Sequence, residues 1–243
     1  MAESPERTNN ILVVIPAFNE HEKIQAVVQG VRREMPEAVV LVVNDGSRDQ
    51  TEARARAAGA RVLTHPFNMG YGVALQTGYK YALKEGFDFV LQMDGDGQHD
   101  AGYLPVLLRE VREGGVDVAL GSRFLGEGGY RAGWMRQMGI GLFRWVTSFL
   151  CGQKITDPTS GYQALSRRAV DFCARDSFPG DYPDADVLVM MHRAGLPIRE
   201  VPVRMHPNAQ GRSMHSGLKP LYYLYKMCLS IALNCLRQEK PSR

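Results

Sequence analysis

Two unbroken runs of apolar, largely β-branched residues, ILVVI (Ile11–Ile15) and VVLVV (39–43), constrain this chain more than any other feature. A strand with water on one face alternates apolar and polar side chains, whereas a continuous apolar strand suits a parallel sheet covered on both faces. The second run, extended to Val39–Asn44, and three further segments, Arg61–Thr64, Phe87–Met93 and Asp117–Gly121, complete the first set of expected strands. Between them the spacing predicts helices near Glu20–Met35, Arg48–Ala58, Gly72–Glu85 and Gly102–Glu113. Strand–helix–strand repeats at this interval predict right-handed βαβ units, hence an α/β fold with a mostly parallel sheet flanked by helices. After Gly121 the rhythm breaks. Gly126–Gly133 is glycine-rich and expected to be mobile, a helix is predicted near Trp134–Leu150, and DPTSGYQA is read as a loop. A last helix near Asp184–Ala194 precedes IREVPVRM, read as a strand.

In open parallel sheets, ligands gather outside the carboxyl ends of the strands. The segments expected there are PAFNE, DGSRD, HPFNMG, DGDGQH and GSRF, each rich in Gly, Asn, Asp or Ser. The fourth gathers three aspartates at the end of an apolar run, VLQMDGDGQHD (90–100). Like charges a few Å apart cost free energy unless a cation or hydrogen-bond donors offset them. Asp94 and Asp96 flank Gly95, which lets the backbone turn both carboxylates toward one point. Hard oxygen ligands of this kind suit Mg²⁺ or Mn²⁺ shared with substrate phosphates, and Gln98 and His99 stand where they could complete or orient the shell. An isolated DxD is more often a solvated loop; its place at a parallel-strand terminus favours the metal. An EF-hand is excluded, because a loop starting at Asp94 has His99 and Pro105 where Gly and Glu are required. NMGYGVALQTGYK lacks both the third glycine of a dinucleotide fingerprint and the GK[ST] ending of a P-loop.

Length and composition set the outer bounds. The 243 residues suffice for one α/β domain with an appendage, and a net charge of +3 gives no indication of nucleic-acid binding. Cys151, Cys173, Cys228 and Cys235 form no CxxC pair, which argues against a disulfide framework or zinc site and suits a reducing cytosol. MAESPERTNN is short and polar, without the apolar core of a secretory signal. No apolar run reaches the ~20 residues that a spanning helix needs.

Six blocks, VVIPAFNE, VVNDGSRDQT, NMGYGVALQTGY, MDGDGQHD, GSRF and DPTSGYQALS, stand in the order seen in family-2 glycosyltransferases of the GT-A (Rossmann-like) fold. From about Ile11 to Ser216 the chain resembles their polyprenyl-phosphate (dolichol-phosphate) mannosyl- or glucosyltransferase branch. The resemblance implies inverting, divalent-metal-dependent transfer of a hexose from a GDP- or UDP-sugar. It implies donor binding by Pro16, Ala17, Asn19, Glu20, Asp45, Gly70, Asp94, Gly95, Asp96 and Gln98, with Asp94, Asp96 and Gln98 at the metal. Arg123 would approach phosphate oxygens, a task suited to its planar fork of donors. Asp157 matches a position beside the acceptor, and it and Asp186 or Asp184 are the carboxylates available there as a general base, so that Asp157, Asp186 and Arg123 are the expected catalytic residues. A local turn or helix cap is the alternative for Asp157 and Asp184. Arg131, Ser160, Arg212 and Ser213 are the remaining acceptor or phosphate candidates. One departure is plain: the family's RxxGxS arginine is Asn208 here, and Arg212 beside Gly211 is the nearest replacement.

An attacking hydroxyl needs a general base, whereas an attacking lipid phosphate is already ionised. Both acceptor classes stay open at this point, as does a sugar-nucleotide-binding protein without turnover. Residues 1–10 read as a flexible N-terminus, 11–214 as the catalytic domain and 215–243 as an amphipathic helix and tail. In that last segment Lys219, Lys226, Ser230, Asn234 and Arg237 share one narrow face. The broad apolar remainder calls for burial on the domain, on a second copy in a homo-oligomer, or in a membrane interface. The expected location is the cytoplasm, with the last option placing the protein peripherally on the membrane's cytoplasmic face.

Overall fold

The computed structural model describes residues 10–126, 134–181, 183–206 and 229. Arg131, Asn208, Arg212, Ser213, most of the glycine-rich segment, nearly all of the expected N-terminal extension and all of the C-terminal helix except Leu229 lie outside them.

Seven strands form one sheet in the order β3-β2-β1-β4-β6-β5-β7. They are β1 (Ile11–Ala17), β2 (Val39–Asn44), β3 (Arg61–Thr64), β4 (Phe89–Gln92), β5 (Val118–Ser122), β6 (Gln163–Ser166) and β7 (Ile198–Pro202). All neighbours pair in parallel except β6, which runs antiparallel to β4 and β5. All seven residues of β1 are buried, as an apolar run covered on both faces requires. Val13 and Ile15 pack in one layer with α1 (Ile24–Glu34) and α4 (Leu104–Glu113). Leu12 and Val14 pack in the other with α3 (Tyr71–Glu85), α6 (Arg167–Cys173) and α7 (Ala185–Arg193).

The helices follow from the spacing of their apolar residues. Ile24, Val27, Val28 and Val31 in α1, and Leu104, Leu107, Leu108 and Val111 in α4, repeat the i, i+3, i+4, i+7 pattern of one buried stripe. Helix α2 (Thr51–Ala57) is shorter than its expected span, and α5 (Trp134–Cys151) matches the expected one to within a residue. A Cβ on Gly78 would stand 2.4 Å from Val14 Cγ1, so this glycine lets α3 lie directly on β1. Leu142, Trp145 and Phe149 of α5 are exposed, and the Trp145 and Phe149 rings stack at 6.0 Å.

Strand β6 and helix α6 were not expected. QALS carries no periodicity, and the four-residue strand is fixed by its two neighbours: Leu91 pairs with Ala164, and Ala119 with the same residue from the other side. Ser166 then caps α6 by accepting the Ala169 N–H.

Candidate active site

Because β6 runs backwards, the loop before it arrives at the same sheet edge as the loops after β1, β2, β4 and β5. That single reversal brings DPTSG beside DGDGQ and GSR, which the sequence separates by tens of residues.

The edge is built from interlocked turns. Asn19, in the left-handed region at φ 56, donates its N–H to Ser47 Oγ and accepts the Arg48 N–H on Oδ1. Glu20 donates its N–H to Thr51 Oγ1, tying the first loop to the second. Asp45 is buried, and its carboxylate accepts the Met69 and Gly70 N–H groups at 2.8 and 2.9 Å and faces His65 Nδ1 at 2.8 Å. His65 also reaches Thr77 Oγ1 at 2.9 Å. Expected at the donor base or ribose, Asp45 therefore also braces the NMG loop. Gly46 is required there, since at φ +70 its Cβ would meet the Phe67 carbonyl carbon at 2.4 Å.

Pro16 and Ala17 form the floor of the acidic turn, where a Gly95 Cβ would lie 3.2 Å from the Pro16 carbonyl oxygen. Asp94 accepts the Tyr71 hydroxyl on Oδ1 at 2.8 Å, and its own N–H donates to His99 Nδ1 at 3.0 Å. Since Nδ1 accepts, the neutral ring carries its proton on Nε2. His99 is buried and stacks on Tyr162 at 4.7 Å. Burial pushes the Asp94 carboxyl above its ordinary value; His99 draws it back and Asp96 raises it further. Burial likewise raises Glu20, opposed by Lys23 and reinforced by Asp96, Asp49 and Asp94. These shifts describe a concentration of negative charge at one point.

Asp96 accepts the Gln98 backbone N–H at 2.9 Å and also its side-chain amide. Gln98, expected at the metal, here gives both its backbone and side-chain N–H to Asp96. Among the described residues no group of three or more His, Cys, Asp or Glu side chains is placed to hold a metal ion by itself. Two carboxylates from one tight turn fit a hard cation shared with phosphate oxygens and water, and do not fit an all-protein cage.

On the far side of the turn, Arg123 grips Asp157. Its Nε and Nη2 donate to the two carboxylate oxygens at 2.6 Å each, its backbone N–H adds a third bond at 3.1 Å, and Nη2 also reaches Thr159 Oγ1 at 3.0 Å. The Asp157 side chain is fully buried. Both oxygens of Asp157, expected among the catalytic carboxylates, are engaged in this fork, so taking up a proton there would break a charge-assisted bond. Arg123 in turn spends its fork on Asp157, where phosphate contacts were expected. Glu200 accepts the Thr156 and Asp157 N–H groups from beneath, and burial raises its carboxyl above the ordinary value. Ser160 is buried and accepts the Tyr162 N–H. Asp186 is buried and accepts the Asp184 and Val187 N–H groups. Asp184 occupies the cap position of α7 without a side-chain cap bond. Gly70 precedes α3 at φ 104, with a Cβ position 3.3 Å from the Gly180 carbonyl.

The fold and this edge define a nucleotide-sugar-type α/β transferase with an acidic turn facing an arginine–aspartate pair. The glycosyl transferase family 2 model matches residues 12–172, and the chain belongs to that family: it is a glycosyltransferase. Among its relatives, an undecaprenyl-phosphate mannosyltransferase of Micrococcus luteus is 34% identical over 85% of this chain and 88% of its own. A polyprenol monophosphomannose synthase of Mycolicibacterium smegmatis is 32% identical over 86% of this chain and 82% of its own. The fold is that of glucosyl-3-phosphoglycerate synthase from Mycobacterium tuberculosis, solved with Mn²⁺, UDP and glucosyl-3-phosphoglycerate, at a TM-score of 0.70 and 23% identity over 96% of this chain and 82% of that one. This is the GT-A fold.

Tyr71 and Gln92 were missed as site residues. The available signal was Gln92 itself, a lone amide inside the apolar run FVLQM.

Proposed function

We propose that the protein transfers a hexose from a GDP- or UDP-sugar to a polyprenyl phosphate, with inversion at the anomeric carbon. The observation that carries this reading is the engagement of Asp157, a carboxylate expected as a base. Both of its oxygens lie in the Arg123 fork. A hydroxyl acceptor needs a base at this place; a phosphate nucleophile arrives ionised and needs none. Two relatives, the undecaprenyl-phosphate mannosyltransferase and the polyprenol monophosphomannose synthase, support the same acceptor class.

Asp94 and Asp96 would hold Mg²⁺ or Mn²⁺ together with the diphosphate, and the cation would offset charge developing on the leaving group. Gln98 fixes the rotamer of Asp96, and His99 fixes the backbone at Asp94. The turns carrying Asn19, Glu20 and Asp45 wall the nucleotide side, and Gly70 opens α3 toward the same edge.

No helix of the described residues is long and apolar enough to cross a membrane. Peripheral association on the cytoplasmic face is the reading that brings this catalyst to a lipid. The exposed Trp145 and Phe149 of α5 support it, as does the apolar, lysine-bearing composition of residues 215–243.

The test is a calorimetric titration of GDP-mannose and UDP-glucose with and without Mn²⁺, on wild type and Asp96→Ala, followed by transfer of the bound sugar to a polyprenyl phosphate in detergent. Metal- and Asp96-dependent binding of one nucleotide, with a lipid-linked sugar as product, is expected. Donor binding without metal sinks the cation assignment; product on an oligosaccharide and none on lipid phosphate sinks the acceptor assignment. Donor binding without transfer to any acceptor would leave a binding protein.

A further inference from the structure

Behind the acidic turn lies a polar chain that none of the motifs predicted. Gln92 closes β4 with its amide buried in the sheet, paired in register with Val14 on one side and Gln163 on the other. Its Oε1 receives the hydroxyl of Tyr79, also buried, and its Nε2 stands 3.2 Å from the Tyr71 hydroxyl oxygen. Tyr71 in turn reaches Asp94 Oδ1 at 2.8 Å.

A count of protons sets the direction. A carboxylate that holds a cation is ionised and only accepts, so in that state Tyr71 gives Asp94 the single phenolic proton. The Tyr71 oxygen can then only accept from Gln92, which must present its NH₂ and not its carbonyl. The carbonyl faces Tyr79, whose proton it accepts. Each group thus has one permitted orientation, and the far end of the chain decides the near end. Without the Tyr79 hydroxyl, the amide could rotate and offer Oε1 to Tyr71, competing with Asp94 for the one proton.

We infer that Tyr71, with Gln92 and Tyr79 behind it, is a positioning relay that aims Asp94 at the cation. The inference rests on the metal assignment made above. A hydrogen bond on Oδ1 fixes the plane of the carboxylate, with Oδ2 lying 3.8 Å from His99 Nε2. Gly161 bears on the same contact, because a Cβ there would lie 2.7 Å from the Tyr71 oxygen and 3.4 Å from Asp94 Oδ1. Partners behind a metal ligand set its orientation, and their loss commonly weakens metal binding about 10–100-fold.

The test measures Mn²⁺ binding directly, by the electron paramagnetic resonance signal of free Mn²⁺ during titration of the full chain with UDP or GDP present. Tyr71→Phe is expected to weaken Mn²⁺ binding about 10-fold or more. Tyr79→Phe, which leaves every group at the turn in place, is expected to weaken it by a smaller factor. The double variant should bind no worse than Tyr71→Phe alone, since both act through one bond. Metal-free melting temperatures, taken alongside, separate aim from fold. A purely structural role lowers the melting temperature and leaves Mn²⁺ affinity where it was. Should Tyr71→Phe fail to fold, Tyr79→Phe carries the test. Wild-type affinity in both single variants, with binding abolished in Asp96→Ala, overturns the relay and leaves the metal site standing. No Mn²⁺ binding by wild type with either nucleotide overturns the metal assignment and the relay with it.

Discussion

Removing one partner of the Arg123–Asp157 pair gives a sharp test of what that pair does. Asp157→Asn keeps the shape of the side chain and removes its charge. The Arg123 side chain is 9% exposed, and three N–H bonds now end on a neutral amide that can accept on only one atom. Stranding a buried charge in this way costs about 3–5 kcal/mol. At about 2–4 °C per kcal/mol for a chain of this size, the melting temperature should fall by roughly 10 °C. Arg123→Met strands the carboxylate and should cost a comparable amount. The double variant removes both charges, so its loss should be smaller than the sum of the singles by about 2 kcal/mol, within the range measured for groups in direct contact. Urea unfolding of the four proteins measures this coupling, with the slope checked for constancy. Additive losses would refute the pair as a single unit. An Asp157→Asn protein with an unchanged urea midpoint and abolished turnover would refute the argument further, because it would make Asp157 a proton acceptor and return a hydroxyl acceptor to first place.

Three further outcomes are expected. Gly46→Ala forces a Cβ against the Phe67 backbone at a φ that side chains rarely adopt, and should cost about 1–3 kcal/mol in urea unfolding while weakening nucleotide binding by calorimetry. Burial pushes the Cys151 and Cys173 thiols up to about 11 and about 12, so at pH 8 both stay protonated. Peptide-resolved iodoacetamide labelling should leave them unmodified in the native protein and modify both in urea. Trp145→Gln with Phe149→Gln should reduce co-sedimentation with anionic phospholipid vesicles several-fold without lowering the melting temperature; undiminished sedimentation would assign membrane contact elsewhere.

The parallel half of the sheet was legible because its strands are continuous apolar runs, and the span of β2 agrees residue for residue with its expectation. The acidic turn was legible for a related reason: charge at the end of a buried strand has few bland explanations. Strand β6 was not, since QALS owes its conformation to partners on both sides and not to any pattern of its own. Nor could the sequence say that Arg123 and Asp157 face each other, because that contact depends on β6 being reversed. Gln98 illustrates a finer limit: its position in the motif was readable, but whether its amide meets a cation or Asp96 is a matter of rotamer.

The reversal at β6 also gives the polypeptide a timetable. Strands β3, β2, β1 and β4 form a contiguous parallel unit whose last residue is Gln92. Both sheet neighbours of β5 lie later in the chain, β6 at Gln163–Ser166 and β7 at Ile198–Pro202. As the chain leaves the ribosome at roughly 5–20 residues per second, about seventy residues must pass between the end of β4 and the start of β6, on the order of 4–14 seconds. Throughout that interval the apolar edge of β4 is an unpaired template for any other strand nearby. The turns after β1, β2 and β4 can therefore form on a nascent chain before Arg123 can meet Asp157, and until β6 emerges the edge of β4 has no partner from its own chain.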